Sequence, residues 1–584
     1  MTRLTDGGAL RRVFPVVAYA ATALVACSSI GPAPASSNAS HGGNTAGGAA
    51  GSSVVSGGGG AGSNSLGGVG GSAGLSGGAA GGAAGAVSSG GASAGSGGSA
   101  PMVLPVSTCS GVDPFLAASG LQVHSARGTG PAVSLRGANL GGWLMIEPYM
   151  TPLADVPDDY SLHTVLEQRF GATVRDSLIA GYEQSWMQTA DFYAIAALGM
   201  SAVRVPVTYE NIQNADGTLR TNAFERLDWA VAEAWKRCIY TIIDLHGAWG
   251  GASTSASSGK VGTAELWTSE DDKARSTALW QAIATHYKGN PAIAGYDVLN
   301  EPIAAATDQD RWTLQDRFYK AIRAIDSEHV IFIEAIWWLD NLPQPSKYGW
   351  TNVVYECHHY LWDSQTDVAA QKAGADAKVD DFTKHASYGV PFYLGEFNFF
   401  GNPEAWKYGV EQWDKAGISW TSWSFRASAD GIGLSNSWGV MNPIDPRPAL
   451  PSITQDSAAD IASKWAKWGA SEFGANPVLQ AALAAPALSA DDYAAPAGKT
   501  LTVAAPGVLT NDHDQNQGQP GITLQAQITT QPAHGQVTLS ANGGFSYTPA
   551  SDFSGTDMFL YTVFDGRLHA ASPRPVTLHV SNAP

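Results

Sequence analysis

Short apolar stretches recur along the middle of the chain, and segments with a helical repeat of apolar residues lie between them. The helical repeat is clearest at 224–235, 278–287 and 312–325. The apolar stretches predict strands at 133–143, 202–207, 241–246, 294–299, 330–335, 353–360, 392–397 and 419–425. About eight strand–helix repeats over roughly 250 residues or more are typical of an α/β fold, the (β/α)8 or TIM barrel. We place this barrel in residues 106–484.

The last hundred residues have a different pattern, which is all β. Short alternating stretches separated by Gly, Asn, Asp and Pro lie at 500–503, 522–528, 536–539, 544–548, 558–563 and 576–580. Such spacing predicts a small immunoglobulin-like sandwich of about 90 residues. We place this domain at 485–584 and interpret 485–497, with Pro486 and Pro496, as the linker that leads into it.

The first hundred residues carry no pattern of a packed domain. Arg11 and Arg12 precede an apolar run that ends at Ala26, which is shorter than the ~20 residues that span a bilayer. The run leads into Leu24-Val25-Ala26-Cys27, which resembles a bacterial lipobox, so we expect a signal peptide over 1–27 and a lipid on Cys27. An ordinary signal peptide cut nearby is the alternative. Residues 28–105 are mostly Gly, Ser and Ala and should form a disordered tether.

Composition narrows the range of partners. A chain of 584 residues is too long for one ordinary domain, and its net charge of −18 argues against a nucleic-acid surface.

Apart from Cys27 the cysteines are Cys109, Cys238 and Cys357, an odd number that cannot all pair within the chain. Cys357 lies beside two histidines, but a zinc site needs more ligands than this run offers, so a buried free thiol is expected.

Two predicted strands end in a glutamate. Glu301 lies in Asn300-Glu301-Pro302 after the fourth barrel strand, and Glu396 lies at the end of the seventh. The carboxyl ends of barrel strands meet at one face, so the two side chains should lie close together. Glycoside hydrolysis uses such a pair, in which one acid protonates the leaving oxygen and the other attacks the anomeric carbon. Alternatively, either glutamate could have a purely structural role.

Other polar or aromatic residues mark the ends of further strands in the same order. They are Glu147 after strand one, Arg204 in VRVPV, His246 in DLHG, His358 and Tyr360 in HHY, and Trp423 in SWTSWSF. Together with NEP and GEF, these motifs resemble glycoside hydrolase family 5, the cellulase family. The segment 137–152, GANLGGWLMIEPYMTP, is similar to the exo-β-1,3-glucanase branch, and the resemblance covers most of 133–426.

The resemblance implies a role for each of these residues. Glu301 is the expected general acid/base, with a pKa raised by burial and by the charge of Glu396. Glu396 is the expected nucleophile, held by Arg204 and Tyr360. The substrate-binding side chains are expected to be Glu147, Arg204, His246, Asn300, His358, Tyr360 and Trp423. For Arg204, the histidines, Trp423 and Glu147, an ion pair, ordinary core packing or a loop cap remains the alternative.

A histidine and two tryptophans beside these motifs have separate expected roles. His359 should face away from His358, since side chains alternate along a strand, and is expected to be structural. One of Trp337 and Trp338 should line a sugar cleft, although simple packing is open for either.

The resemblance implies a retaining β-glucan hydrolase that is exo-acting on β-1,3-glucan. After DLHG, however, the branch carries an Asp-Asn pair, whereas this chain reads AWGGASTSASSGK over 248–260. Hydrolysis of β-1,4-glucan, β-1,6-glucan or mannan therefore stays open, as do transglycosylation and an inactive carbohydrate-binding lipoprotein. We expect an exported cell-surface or outer-membrane lipoprotein, otherwise a secreted protein. Its partners should be a polysaccharide and the membrane that holds the lipid anchor, and we expect a monomer without cofactor or metal.

The C-terminal segments GVLTNDHDQ and GGFSYTPASDFSGTDMFLYTVFDG resemble bacterial cadherin-like, immunoglobulin-like repeats. Asn511, Asp512 and Asp514 could bind calcium through their oxygens, although a solvated turn is the preferred interpretation. Whether the domain is a spacer or binds polysaccharide is left open by the sequence.

Overall fold

The computed structural model describes residues 112–428 and 439–581. The predicted signal peptide, Cys27, the tether and Cys109 lie outside these residues. The described strands are β1 Ala117–Ser119, β2 Gln122–His124, β3 Arg136–Asn139, β4 Ala202–Thr208, β5 Tyr240–Gly247, β6 Ile293–Asp297, β7 Val330–Glu334, β8 Val353–Tyr360, β9 Phe392–Asn398, β10 Ser419–Ser422, β11 Met441–Pro443, β12 Phe473–Ala475, β13 Asp491–Pro496, β14 Leu501–Val503, β15 Gln525–Thr530, β16 Gly535–Leu539, β17 Phe545–Pro549, β18 Gly555–Phe564 and β19 Arg574–Ser581.

Strands β3 to β10 form a closed parallel barrel, in which β10 pairs with both β9 and β3. The predicted TIM barrel of eight strands is confirmed. The ladders are shorter than the apolar stretches at β3, β6 and β10. The reason is that residues past Asn139, Asp297 and Ser422 leave the ladder to form the loops at the carboxyl ends of the strands.

Helices cover the outside of the barrel, and several of them begin at polar caps. The described α-helices are α1 Asp159–Phe170, α2 Ala172–Trp186, α3 Thr189–Ala197, α4 Tyr209–Ile212, α5 Glu225–Trp235, α6 Glu270–Tyr287, α7 Asp308–Arg323, α8 Val368–His385, α9 Pro403–Lys415, α10 Ala458–Trp465 and α11 Pro477–Leu483. Helix α6 begins eight residues before the predicted 278 because Ser269 accepts the N–H of Asp272 and three acidic residues occupy the first turn. No helix in the described ranges is both long and apolar enough to span a membrane.

The C-terminal strands form two sheets that enclose their own core. One sheet has the order β13-β19-β18-β15 and the other β14-β17-β16, and aromatic residues such as Tyr547 and Phe559 fill the space between them. The linker prediction for 485–497 was wrong from Asp491 onward, because β13 pairs in parallel with β19. Its sequence, DDYAAP, lacks the apolar alternation that would have predicted a strand.

The expected solvated turn in this domain is also wrong. Asp512 is buried and accepts hydrogen bonds from the Tyr561 hydroxyl at 2.9 Å and from the Ser489 N–H at 2.9 Å. Asp514 is buried as well and accepts from the N–H of Asn516. These aspartates therefore hold the loop against the sheet.

The β domain contacts the barrel at the amino-terminal end of its strands. Arg567 donates to the carbonyl oxygens of Ala482 at 2.7 Å and Ala484 at 2.5 Å, and Leu568 packs into the barrel core. Arg136, at the first residue of β3, donates to the carbonyl of His569. The opposite end of the barrel, where the strands finish, is left for the predicted site.

Candidate active site

The two predicted carboxylates meet at the carboxyl end of the barrel. Glu301 follows β6, Glu396 lies in β9, and His358 lies between them in β8. One oxygen of each glutamate and one ring nitrogen of His358 all lie within 4.8 Å of one another. The structure thus brings together two acids that are 95 residues apart in the chain.

A single buried guanidinium organises the residues beneath this pair. Arg204 projects from β4 into the barrel and is fully buried. Its nitrogens lie 2.7 Å from Asp297, 3.1 Å from Asp244, 3.0 Å from Glu396 and 3.6 Å from Glu356. It also donates to the side-chain oxygens of Asn139 at 3.1 Å and Asn300 at 2.9 Å. The guanidinium therefore fixes side chains from several strands at once.

Glu396 is surrounded by hydrogen-bond donors. Arg204 donates to its Oε1 at 3.0 Å, and the hydroxyl of Tyr360 donates to its Oε2 at 2.9 Å. Hydrogen bonds from a guanidinium and a phenol to a carboxylate are short and directional, and they fix the orientation of its two oxygens. The expected contacts of Glu396 with Arg204 and Tyr360 are therefore present in the structure.

Glu301 lies in a different environment. Its side chain is 13% exposed, and its Oε1 lies 3.1 Å from Nδ1 of His358. Burial raises the pKa of Glu301, whereas the protonated form of His246, the charge of Arg204 and a hydrogen bond from Ser257 lower it. The expected contribution of Glu396 is not among the main causes. A carboxyl whose pKa is raised by burial keeps a proton to higher pH, as a general acid must.

His246 and Asn300 form one network with Asp244. Nδ1 of His246 lies 2.6 Å from Asp244, and its Nε2 lies 3.3 Å from the amide nitrogen of Asn300. Burial lowers the pKa of His246 to about 4, so the ring is neutral at pH 7. With the proton on Nδ1, Nε2 accepts from Asn300, whose oxygen accepts from Arg204. The amide of Asn300 is thus oriented with one N–H left over for a ligand.

Trp423 and Glu147 form one wall of the site. The Trp423 ring stacks against His246 with centroids 5.4 Å apart, and its Nε1 donates to the hydroxyl of Tyr149 at 3.0 Å. That hydroxyl donates in turn to Glu147 at 3.3 Å. Burial, followed by the charges of Glu396 and Glu301, raises the pKa of Glu147 well above its ordinary value. Tyr149 is 43% exposed and offers a ring at the mouth of the cleft.

The two rim tryptophans have different surroundings. Trp337 lies 6.4 Å, centroid to centroid, from both His358 and Tyr360, which places it at the site. Trp338 is 44% exposed and carries the ammonium of Lys378 over its ring. Of the two, Trp337 is therefore the one positioned to face a ligand.

The loop that departs from the family pattern also reaches the site. The hydroxyls of Ser253, Ser255 and Ser257 are joined by hydrogen bonds, and Ser257 bonds to Glu301. Trp249 stacks on Tyr209 with centroids 3.9 Å apart and donates to Gln213. The loop thus supplies serine hydroxyls and an aromatic wall.

Sequence reasoning missed three buried acids, Asp297, Glu334 and Glu356. Each is fully buried inside the barrel. Asp297 and Glu334 are the last residues of β6 and β7, and Glu356 lies two residues before His358 on the same face of β8. A charged residue inside an apolar strand was the signal that could have identified them.

The histidine beside His358 has a structural environment. His359 packs outside the barrel against Phe399 and Trp413, with ring centroids 5.4 and 5.7 Å away. Cys357 is a buried free thiol that accepts from Lys378, as the sequence predicted, whereas Cys238 is disulfide-bonded. The strand therefore alternates between residues of the site and residues of the outer core.

Some groups of side chains in the described part of the chain could hold a metal ion. They are Glu301 with His358 and Glu396, Asp159 with His163 and Glu210, and Asp340 with Asp381 and His385. The first group is the candidate site itself, and glycoside hydrolysis by two carboxylates requires both to be free for proton transfer and attack.

Comparison with known proteins agrees with this geometry. Residues 170–429 match the family model described as cellulase (glycosyl hydrolase family 5), and residues 484–582 match the bacterial cadherin-like domain. The chain therefore carries a family 5 cellulase domain over 170–429, as its motifs predicted, and a bacterial cadherin-like domain over 484–582.

Curated relatives cover part of the chain. One, from Phanerodontia chrysosporium and named beta-xylosidase, is 30% identical over 255 residues, which cover 42% of this chain and 52% of that protein. Another, from Candida oleophila and named glucan 1,3-beta-glucosidase, is 31% identical over 250 residues, which cover 39% of this chain and 58% of that protein. The chain thus spans between one half and three fifths of the length of these relatives.

We predict that Arg204→Met lowers the free energy of unfolding at pH 7.5 by about 3–5 kcal/mol, since it leaves buried carboxylates without a counter-charge. Burial already raises the pKa of Asp244 to about 7 against the opposing charge of Arg204. Without Arg204 the folded-state pKa rises further, so the folded protein gains stability as pH falls through that value. Urea denaturation should therefore show that Arg204→Met loses less free energy of unfolding at pH 5 than at pH 7.5.

Arg136→Met is the matched control, because Arg136 is another buried arginine and pairs with Asp414 far from the site. The loss of unfolding free energy caused by Arg136→Met should change less between the two pH values than the loss caused by Arg204→Met. If Arg204→Met lowers the free energy of unfolding equally at pH 5 and pH 7.5, uncompensated charge on the buried carboxylates is not the cause of the loss.

Proposed function

We propose that this protein is a retaining β-glycoside hydrolase that acts on a β-glucan. The observation that carries the proposal is the approach of Glu301 and Glu396, whose oxygens lie within 4.8 Å. Retaining enzymes hold their carboxyl groups ~5–5.5 Å apart, whereas inverting enzymes hold them ~6.5–9.5 Å apart to admit a water. The family match and the contrasting environments of the two acids support the same conclusion.

In the first step, an oxygen of Glu396 attacks the anomeric carbon while the bond to the leaving oxygen breaks. Glu301 gives its proton to that oxygen, and a covalent glycosyl-enzyme forms. In the second step Glu301, now ionised, takes a proton from water, whose oxygen attacks the same carbon and releases Glu396. Arg204 and Tyr360 stabilise the charge that returns to Glu396.

The remaining side chains suit the binding of a sugar. The free N–H of Asn300 is placed for the 2-hydroxyl, a contact that strengthens in the transition state. The Trp423 ring supplies an apolar floor, and Glu147 and Trp337 flank the space above it. Apolar sugar faces stack on such rings, and their hydroxyls bond to carboxylates.

We further propose exo-action on β-1,3-glucan. Several relatives, including that from Candida oleophila, are named glucan 1,3-beta-glucosidase, which supports this linkage. The loop 248–260 lacks the Asp-Asn pair, and another relative is named beta-xylosidase, so β-1,4-glucan, β-1,6-glucan, mannan and xylan are the alternatives to test.

We expect a soluble protein beginning at residue 101 to release mainly glucose from laminarin, with little release from pustulan, soluble cellulose, mannan or xylan. Chromatography of the released sugars measures both the polymer and the mode of cleavage. Release of oligosaccharides, or a preference for another polymer, would reject the exo-1,3 proposal while leaving the two acids in place. If Glu301→Ala matches the unaltered protein, the acid/base assignment is wrong.

We expect Glu396→Ala to lower turnover of an aryl β-glycoside by roughly three orders of magnitude or more. Azide should restore part of it by entering the vacated face, and the product should be the α-glycosyl azide. Azide added to Glu301→Ala should instead give the β-glycosyl azide, because the nucleophile is still present. Glu404→Ala, an exposed glutamate of α9, is the control. Activity in Glu396→Ala without azide would refute the assignment.

We propose that the protein is exported and anchored by a lipid on Cys27, so that the Gly/Ser/Ala tether lets the barrel reach a polymer. Cys27→Ser should move the protein from the membrane fraction to the soluble fraction, as measured by immunoblotting after detergent-free fractionation. Ser28→Ala is the control and should stay with the membrane. Retention of Cys27→Ser in the membrane fraction would exclude this anchor.

The alternative of an inactive carbohydrate-binding lipoprotein finds less support. Both acids are present, and each has the surroundings that its step requires. The polymer and azide experiments test that alternative as well, since such a protein would cut none of the substrates.

A further inference from the structure

A buried glutamate lies directly beneath the acid/base residue. Glu334, the last residue of β7, has no exposed surface. Its Oε2 accepts the backbone N–H of Glu301 at 2.7 Å, and its Oε1 lies 3.7 Å from Nε2 of His358. Both Glu334 Oε1 and His358 Nε2 are buried without a hydrogen-bond partner in the described residues. Glu334 therefore touches the backbone of Glu301 and faces the histidine that touches its side chain.

The position of Glu334 is itself fixed from behind. Gln315 of α7 donates to the carbonyl of Glu334 at 3.0 Å and accepts its N–H at 2.9 Å. Gln315 is fully buried, so these bonds are shielded from water. The last residue of β7 is thereby clamped to the helix that follows β6.

The backbone of Glu301 needs such support. Its φ of +38° lies in the left-handed region, which costs a residue with a side chain of the order of 1 kcal/mol or more. A short hydrogen bond from its N–H to a fixed carboxyl holds this conformation. The direction of the Glu301 side chain into the cleft follows from it.

His358 connects the same two carboxyls through its ring. Its Nδ1 lies 3.1 Å from Glu301, and its Nε2 lies 3.7 Å from both Glu334 and Glu356. Burial lowers the pKa of His358 to about 3, so the neutral ring carries one proton at pH 7. Whether that proton is on Nδ1 or Nε2 depends on what Nε2 faces. A neutral carboxyl can donate its proton toward Nε2, and the ring proton then lies on Nδ1. A carboxylate would instead accept from the ring, and the ring proton would lie on Nε2.

Crowding favours the neutral form of Glu334. Asp297, Glu301 and Glu356 lie around it, and the charge of Arg204 acts in the opposite direction. Burial, followed by the charges of Asp297 and Glu301, raises the pKa of Glu334 well above its ordinary value. A protonated Glu334 can still accept from the N–H of Glu301 through its carbonyl oxygen.

We propose that Glu334 is a positioning residue for acid catalysis, whose neutral carboxyl holds the Glu301 backbone and directs the single proton of His358 to Nδ1. His358 then donates from Nδ1 to Oε1 of Glu301. The acidic proton of Glu301 is thereby left on Oε2, the oxygen that can face the leaving group. This inference rests on the proposed function, because it assigns Glu334 to the step in which Glu301 gives its proton.

The test compares leaving groups that differ in their need for protonation. A 2,4-dinitrophenyl glycoside leaves as an anion without help, whereas a phenyl glycoside requires the acid. The sugar is the one that the polymer experiment identifies. We expect Glu334→Leu to lower kcat/KM by about 10²-fold or more for the phenyl substrate, in line with the usual size of general acid catalysis, and by less than about threefold for the dinitrophenyl substrate.

Glu334→Gln is the conservative variant and should stay within about threefold of the unaltered protein on both substrates. Its amide oxygen can accept from Glu301, and its NH2 can donate toward His358. Gln315→Met releases the backbone clamp without touching the site and should show a weaker loss that is again confined to the phenyl substrate. Glu183→Ala, a buried glutamate outside the barrel, is the control for loss of a buried acid and should alter neither value.

Equal losses on both substrates, or a Glu334→Gln variant as poor as Glu334→Leu, would overturn the inference. If Glu334→Leu does not fold, as judged by circular dichroism, Glu334→Gln and Gln315→Met still decide it. Failure of the proposed function gives a different result, because the unaltered protein would then cut neither aryl glycoside. Activity of the unaltered protein combined with uniform losses rejects the role of Glu334 alone.

Discussion

One guanidinium surrounded by carboxylates is the constraint on which the site depends. Arg204 lies within 3.6 Å of Asp244, Asp297, Glu356 and Glu396, and all of these groups are buried or nearly so. Desolvating an ion costs several kcal/mol even in a real protein, and one positive charge cannot compensate four negative ones. Some of the acids must therefore hold protons when the protein folds at neutral pH.

The acids of the site differ in the groups that face them. Glu396 accepts from the Arg204 guanidinium at 3.0 Å and from the Tyr360 hydroxyl at 2.9 Å, so two donors face its carboxylate. Glu301 faces a neutral histidine, and burial raises its pKa. Burial likewise raises the pKa of Asp244, Asp297 and Glu356 against the opposing charge of Arg204. Two glutamates of the same chemistry are thus suited to different roles, because the barrel gives them different neighbours.

The sequence predicted the features that depend on local pattern. Strand β8 was predicted at 353–360 and is Val353–Tyr360 in the structure. The prediction succeeded because the apolar alternation of the strand and its polar end are both visible in the sequence. The site residues at strand ends followed from the same rule, since parallel strands deliver their tips to one face. The interior acids were not predicted, because Asp297 and Glu334 matter through contacts with Arg204 and Glu301 that link distant strands. Strand β13 was also missed, since its pairing with β19 overrides a sequence that resembles a linker.

The difference between strands and loops explains why the proposed reaction has more support than the proposed substrate. Arg204, His358 and Glu396 lie on barrel strands, and Glu301 follows β6 by four residues, so close packing of the barrel fixes most of their geometry. Under the proposed function, a sugar beyond the cleaved bond meets loops such as 248–260, which lacks the Asp-Asn pair of the similar branch and brings Ser257 and Trp249 to the site. A hydroxyl in place of a carboxylate or amide changes which sugar hydroxyls are paired, and an unpaired buried group costs about 1–3 kcal/mol. Such differences are large enough to change the preferred polymer by ten- to a hundredfold while the catalytic pair stays the same.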